Sequence, residues 1–420
     1  MRLEDMILVS IDDHAIEPPD IFERHVPDKY KAQAPRVVQD GNGADYWEFQ
    51  GEATSTGFGL GANVGWTTDE WGLDPTAYAE IRPGCWNVHE RIRDMNKGGI
   101  LASMCFPTMP GFAGRTFLEA PDKDLSLVML KAYNDWHIDD WCAEYPGRFI
   151  PLGIVPMWDV DLAVEEVKRL ASKGCRAITF AEAPHAFGLP SYLSGYWDPM
   201  LSAMCDTGTR LCLHIGSSDV LVKLAPEAGP DHAMVLATQL TLMTAHDLLF
   251  GPTLRKFPEL KVALSEGGIG WIPFYLDRIE RHYANQRWIA HDFGGKSPTE
   301  LFREQILACF ITDPSALRLR DVIGVDMLAW ECDYPHSDTT WPDNAEQLWS
   351  ELTTAGATPD EIHKITWQNS VRFFDWDPFT QIRQEQATVG ALRALATDVD
   401  TSRMPRAEWR KRNEANGIAV

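Results

Sequence analysis

Met6-Ile7-Leu8-Val9-Ser10-Ile11-Asp12-Asp13-His14 is the stretch on which the fold turns. A short, nearly unbroken apolar run is the pattern of a strand buried on both faces of a parallel sheet. It stops abruptly at two acids and an imidazole. Comparable runs recur at Leu101–Phe106, Phe149–Val155, Ala177–Phe180, Arg210–His214, Val262–Ser265, Ile306–Ile311 and Met327–Cys332, eight in all. Amphipathic stretches separate them: Val88–Lys97, Leu125–Glu144, Val160–Lys173, Trp197–Thr207, Met234–Leu249, Pro273–Trp288 and Ala345–Leu352. Repeated strand–helix units, eight in number, predict an α/β fold of the (β/α)8 TIM-barrel type over residues 1–376.

Two segments exceed a minimal barrel. Residues 18–82 form a long insertion after strand one, with strand-like Tyr46-Trp47-Glu48-Phe49 and the Gly-rich Gly57-Phe58-Gly59-Leu60-Gly61-Ala62-Asn63-Val64-Gly65. The glycines lack the strand–GxxxxGK[ST]–helix setting of a phosphate loop, so they are read as part of a cover over the active-site face. Residues 377–420 form a C-terminal helical extension that either wraps the barrel or reaches a neighbouring subunit of a homo- or hetero-oligomer.

With 38 Lys and Arg against 61 Asp and Glu, the 420-residue chain has a formal charge of 38 − 61 = −23, which argues against a nucleic-acid partner. No uninterrupted apolar run of about 18 residues marks a membrane span, and the acidic start Met1-Arg2-Leu3-Glu4-Asp5 is unlike a signal peptide. The expectation is a cytoplasmic protein without membrane contact, acting on a small molecule. Its 8 Cys are scattered without a Cys-x-x-Cys pair, which suits reduced core thiols. The 16 Trp are read mainly as packing.

In a βα barrel the chemistry sits at the C-terminal strand ends, so the residues following each apolar run are the test. They are Asp12 and His14 after strand one, Glu182 and His185 after strand four, His214 after strand five, Glu266 after strand six, and Asp333 with His336 after strand eight. Five strands ending in imidazoles and carboxylates indicate a metal site. Asp12 and His14, two apart on a strand, share a face, whereas Asp13 points the other way and is expected to anchor a loop. Mixed nitrogen and oxygen donors suit zinc, manganese or iron. His89, His137, His246, His282 and His363 fall in helical patterns and are read as structural. Arg82, Arg176 and Trp66, Trp71, Trp86 and Trp341 are pocket candidates, each of which a structural role also explains.

The segments Ile11-Asp12-Asp13-His14-Ala15-Ile16-Glu17-Pro18-Pro19-Asp20, Leu213-His214-Ile215-Gly216-Ser217-Ser218, Ser265-Glu266-Gly267-Gly268-Ile269-Gly270-Trp271 and Cys332-Asp333-Tyr334-Pro335-His336-Ser337-Asp338 resemble the amidohydrolase-related family. This is the branch of aminocarboxymuconate semialdehyde and hydroxybenzoate decarboxylases, and the resemblance runs from about Met6 to Trp376. It implies Asp12, His14, His214 and Asp333 as metal ligands, with Glu182 near the strand-four position that bridges two metals in binuclear members. Asp333, Glu266 and His336 are the implied catalytic groups. The decarboxylases carry a strand-six histidine where this chain has Glu266, a departure that tilts the balance toward hydrolysis. The resemblance therefore implies an enzyme using one or two divalent ions for hydrolysis or non-oxidative decarboxylation of a small organic acid or amide. Two alternatives share the motifs: a dinuclear iron oxygenase of the 2-aminoisobutyrate hydroxylase type, and a structural metal-binding subunit of a hetero-oligomer.

Overall fold

The computed structural model describes residues 1–53, 62–72, 76–288 and 292–417, so Gly57 to Gly61 of the Gly-rich stretch lie outside the described residues. The chain divides into two compact units. One comprises Met1–Pro156, Cys332–Gln347 and Asp377–Val420, the other Met157–Glu331 and Leu348–Trp376.

In the first unit, β1 (Leu8–Ala15) is buried at every position and continues three residues beyond Asp12, so the acids and His14 belong to the strand itself. The insertion after it folds into a small antiparallel sheet of β2 (Arg36–Gln39), β3 (Asp45–Phe49) and β4 (Glu52–Ala53). β3 alternates buried and half-buried residues, as expected where one sheet face packs inward. β1 pairs in parallel with β5 (Ile100–Pro107). The run expected as strand Phe149–Val155 is reduced to β6 (Leu152–Gly153) and an isolated bridge from Phe149 to Ser103. Pro151 and Pro156 lack the N–H that a longer ladder requires. Between β4 and β5 the helix Val88–Gly98 starts at Asn87, whose side chain accepts the backbone N–H of His89 and Glu90, and ends at Gly99 with φ 75°.

The C-terminal segment packs within this same unit. Val389 N–H donates to the Met6 carbonyl (2.8 Å), and the buried Trp409 donates its indole N–H to the Gly65 carbonyl (2.9 Å). Arg406 and Arg410 both reach Glu80, at 2.8 and 2.9 Å.

The second unit holds β7 (Ala177–Phe180), β8 (Arg210–His214), β9 (Val262–Ser265), β10 (Ile306–Phe310) and β11 (Leu328–Trp330), each parallel to the next in chain order. Phe180 lies opposite Leu213, and His214 opposite Ser265, so the residues following these strands emerge along one edge. The helices Asp198–Thr207, Pro230–Phe250 and Ile272–Asn285 connect them. Within Pro230–Phe250, the stretch Asp231–Phe250 is long and apolar enough by composition to cross a membrane, and 39% of its apolar window is buried in the protein.

Glu17, just beyond β1, shows how burial overrides hydrogen bonding. Its carboxylate accepts the backbone N–H of Thr108 (2.9 Å) and Met109 (2.8 Å). Complete burial nevertheless raises its pKa from 4.5 to about 7, against the pull of those donors. A raised carboxyl pKa means the folded chain holds the proton more tightly than the unfolded one. This contribution is therefore full below pH 4.5 and is lost as the pH climbs to about 7. Glu17→Gln removes the titration. The difference between wild-type and variant stability curves should change by about 3 kcal/mol across that window in denaturant titrations. Parallel curves would contradict the assignment.

Candidate metal centre

Two sets of donors stand at strand ends, one in each unit. In the first, His14 Nε2 lies 3.5 Å from Asp12 Oδ1 and 3.4 Å from Asp333 Oδ1, with all three side chains fully buried. His336 Nδ1 is 2.8 Å from the same Asp333 oxygen, and its ring stacks on His14 with centroids 3.9 Å apart. His14, Asp333 and His336 each offer one ligand atom within 4.8 Å of the others. Spacings of 3.4 to 3.5 Å between a carboxylate oxygen and an imidazole nitrogen are long for a charge-assisted hydrogen bond and suit donors that share an ion.

The backbone fixes this arrangement. Asp333 N–H donates to the Asp12 carbonyl (2.8 Å) and His14 N–H to the Tyr334 carbonyl (2.6 Å), joining the end of strand eight to β1. Asp333 itself has φ 56°, a left-handed conformation that a non-glycine residue adopts only when its surroundings impose it. Asp13 is part of what imposes it: Oδ1 accepts the Tyr334 N–H (2.9 Å), and Oδ2 accepts the Ser103 hydroxyl. Burial pushes the Asp13 carboxyl up to about 6 despite the nearby Arg91 cation. Arg91, also buried, donates to the carbonyls of Gly84 (2.7 Å) and His14 and lies 4.2 Å from the Tyr334 ring centroid.

The second set is Glu182, His214 and Glu266. His214 Nδ1 meets the Ile215 carbonyl, which can only accept, so Nδ1 carries the proton and Nε2 presents a lone pair. That Nε2 is 3.4 Å from Glu266 Oε2. Glu266 has φ 54°, the same left-handed strain as Asp333, and its N–H donates to Glu331 Oε1 (3.0 Å). Glu182 is placed by its neighbours: its N–H donates to Ser217 Oγ (3.0 Å), and its carbonyl accepts from Thr244 (3.2 Å). Glu182 Oε1 is buried without a hydrogen-bond partner. Burial raises the Glu182 carboxyl to about 8, with His214 and the Gly216 N–H drawing it down and Glu266 pushing it up. A carboxylate so placed is stabilised in its charged form by a cation, and the neighbouring imidazole lone pair supplies a second donor, so these residues fit a divalent ion.

His185 and His246 line a cavity beside Glu182. His246 therefore departs from the purely structural reading of the helical histidines. The pocket candidates lie elsewhere. Arg82 forms a buried ion pair with Asp94 and stacks on Trp341, and Arg176 pairs with Asp375. Glu331 was hidden at the end of an apolar run. Its signal is the spacing of two from Asp333, which puts both on one face of an extended chain.

The sequence profile of the amidohydrolase family matches residues 44–376. The 2-amino-3-carboxymuconate-6-semialdehyde decarboxylase of Dictyostelium discoideum is 24% identical over 272 residues, which is 63% of this chain and 70% of that protein. An amidohydrolase of Mycobacterium avium subsp. paratuberculosis superposes with a TM-score of 0.68 at 21% identity, covering 88% of this chain and 99% of its own. The 5-carboxyvanillate decarboxylase of Novosphingobium aromaticivorans, solved with manganese, gives 0.62 at 17% identity, covering 89% and 99%. The structural likeness establishes the TIM-barrel fold. With the profile spanning most of the sequence, the chain belongs to the amidohydrolase family and is a metal-dependent hydrolase or carbon–carbon lyase.

Proposed function

We propose that this enzyme catalyses the non-oxidative decarboxylation of a small organic acid. One or two divalent ions would be held by donors of the two sets, Asp12, His14 and Asp333 in one unit and Glu182 and His214 in the other, and protons would be handled by Asp333, His336 and Glu266. The observation that carries the reading is the buried Asp333 carboxylate, set between His14 and His336 on a strained backbone. Strain of this kind is retained where a side chain must be aimed. Oxygen-rich donors with two imidazoles favour manganese over a thiophilic metal, in keeping with the manganese of the N. aromaticivorans decarboxylase. A divalent ion bound there supplies charge to hold and polarise the substrate carboxylate.

The residues do the rest. When the carbon–carboxyl bond breaks, CO2 leaves, and the electron pair remains on carbon until that carbon takes a proton. His336, 2.8 Å from Asp333, would hold a proton that the pair can deliver, and the partly exposed Glu266 beside His214 would exchange protons with solvent. Hydrolysis is the second reading, favoured by Glu266 standing where the decarboxylases carry histidine, since a carboxylate there can accept a proton from water. The test is CO2 release from hydroxybenzoate- and carboxyvanillate-type acids by manganese-loaded protein, run beside amide and lactone hydrolysis. CO2 release is expected. Hydrolysis alone would replace this reading with the second, and silence in both panels would overturn each.

A further inference from the structure

A cavity of about 300 Å³ lies beside Glu182, between the loop after β7 and the helix Pro230–Phe250. Its apolar walls include Tyr192, Val220, Leu240, Leu242 and Met243. The charged groups on its lining are two carboxylates, Glu182 and Asp247, and no Arg or Lys is among the described residues that form it. Its basic side chains are the imidazoles of His185 and His246, and His246 Nδ1 is already engaged by the Tyr275 hydroxyl at 3.1 Å. Tyr192 turns its hydroxyl away to the Ala181 carbonyl (2.7 Å), leaving its ring as the wall.

This lining discriminates by charge. A carboxylate entering it would lose hydration without gaining a guanidinium or ammonium partner, and would meet the Asp247 carboxyl group. An apolar group would lose nothing and would bury its surface against aliphatic walls. Glu182 is common to the cavity and to the proposed metal ligands, so the cavity is placed to receive the remainder of a substrate whose acid group is at the metal.

Resting on the metal-centre reading above, we propose that the substrate is a monocarboxylic acid whose far end is an apolar arm without a second acid group, and that this cavity binds the arm. The probes are para-toluate and terephthalate, which differ only in one end group, titrated calorimetrically into manganese-loaded protein. Para-toluate should bind at least about tenfold more tightly. Met243→Arg, at the exposed edge of the lining and outside the catalytic groups, should erase or reverse that order. Equal or tighter binding of terephthalate by the unaltered protein would overturn the inference. Toluene, which has no acid group and needs no metal, separates the two claims. It should raise the melting temperature of metal-free protein, with the rise lost in Met243→Arg. Stabilisation by toluene without binding of either acid would refute the metal centre and leave the cavity's character standing. Failure of toluene to stabilise would refute the cavity assignment itself.

Discussion

Asp333→Asn should leave a folded protein with kcat lower by about 10²- to 10⁴-fold, the range for losing a positioned proton-transfer group. The backbone argument makes this a clean substitution. Asparagine tolerates the left-handed φ of 56° that Asp333 adopts, and both backbone hydrogen bonds to β1 survive the change. The amide also keeps the shape of the carboxyl. What it loses is the negative charge beside His14 and the strong acceptor for His336. Unfolding transitions should therefore nearly coincide while turnover collapses. Activity within a few-fold of wild type would remove Asp333 from the chemistry and favour a metal kept for structure alone.

Asp94→Ala should be the most damaging change to stability, at about 3 to 5 kcal/mol in denaturant titrations. Asp94 meets Arg82 with two bonds of 2.7 Å, and the two side chains are only 4% and 8% exposed. Removing the acid strands a buried guanidinium between Trp341 and Trp409, where the Asp400 carbonyl still accepts from it at 2.9 Å. It also takes away the acceptor of the Tyr334 hydroxyl, bonded to Asp94 at 2.6 Å. Because Tyr334 follows Asp333, turnover should fall as well. Asp94→Asn, which keeps acceptor capacity without charge, should lie between the two. A loss below about 1 kcal/mol in Asp94→Ala would mean that Arg82 finds water or another partner, and that the pair does not anchor the end of strand eight.

The strand ends were legible because a buried parallel strand announces itself as an apolar run, and a barrel puts its polar chemistry immediately afterwards. That logic located His214, Glu182, Glu266 and Asp333 at or just beyond strand ends, and Asp12 and His14 in the C-terminal half of β1. It failed where local signals conflict. Phe149–Val155 has the composition of a strand, but Pro151 and Pro156 cut its ladder to Leu152–Gly153. The helix expected over Leu125–Glu144 is α-helical only over Lys123–Trp136 and then loosens into a π-turn at His137–Cys142. Long-range partners left no local trace. Nothing near Arg82 in the sequence says that Asp94 and the indoles of Trp341 and Trp409 will enclose it. Glu331 falls inside the expected strand Met327–Cys332, and nothing in the sequence shows it as the acceptor that holds Glu266. The left-handed backbone at Glu266 and Asp333 is a property of φ and invisible in the residue names.

Manganese binding to metal-free protein, followed by electron paramagnetic resonance, measures directly whether the proposed donors hold a metal. The unaltered chain is predicted to take up manganese tightly. His14→Asn and His214→Asn, one from each set, should each weaken manganese binding by more than about 100-fold while the protein remains folded. A chain that binds no manganese, zinc or iron, or a variant of either histidine that binds manganese as tightly as the parent, would contradict that assignment.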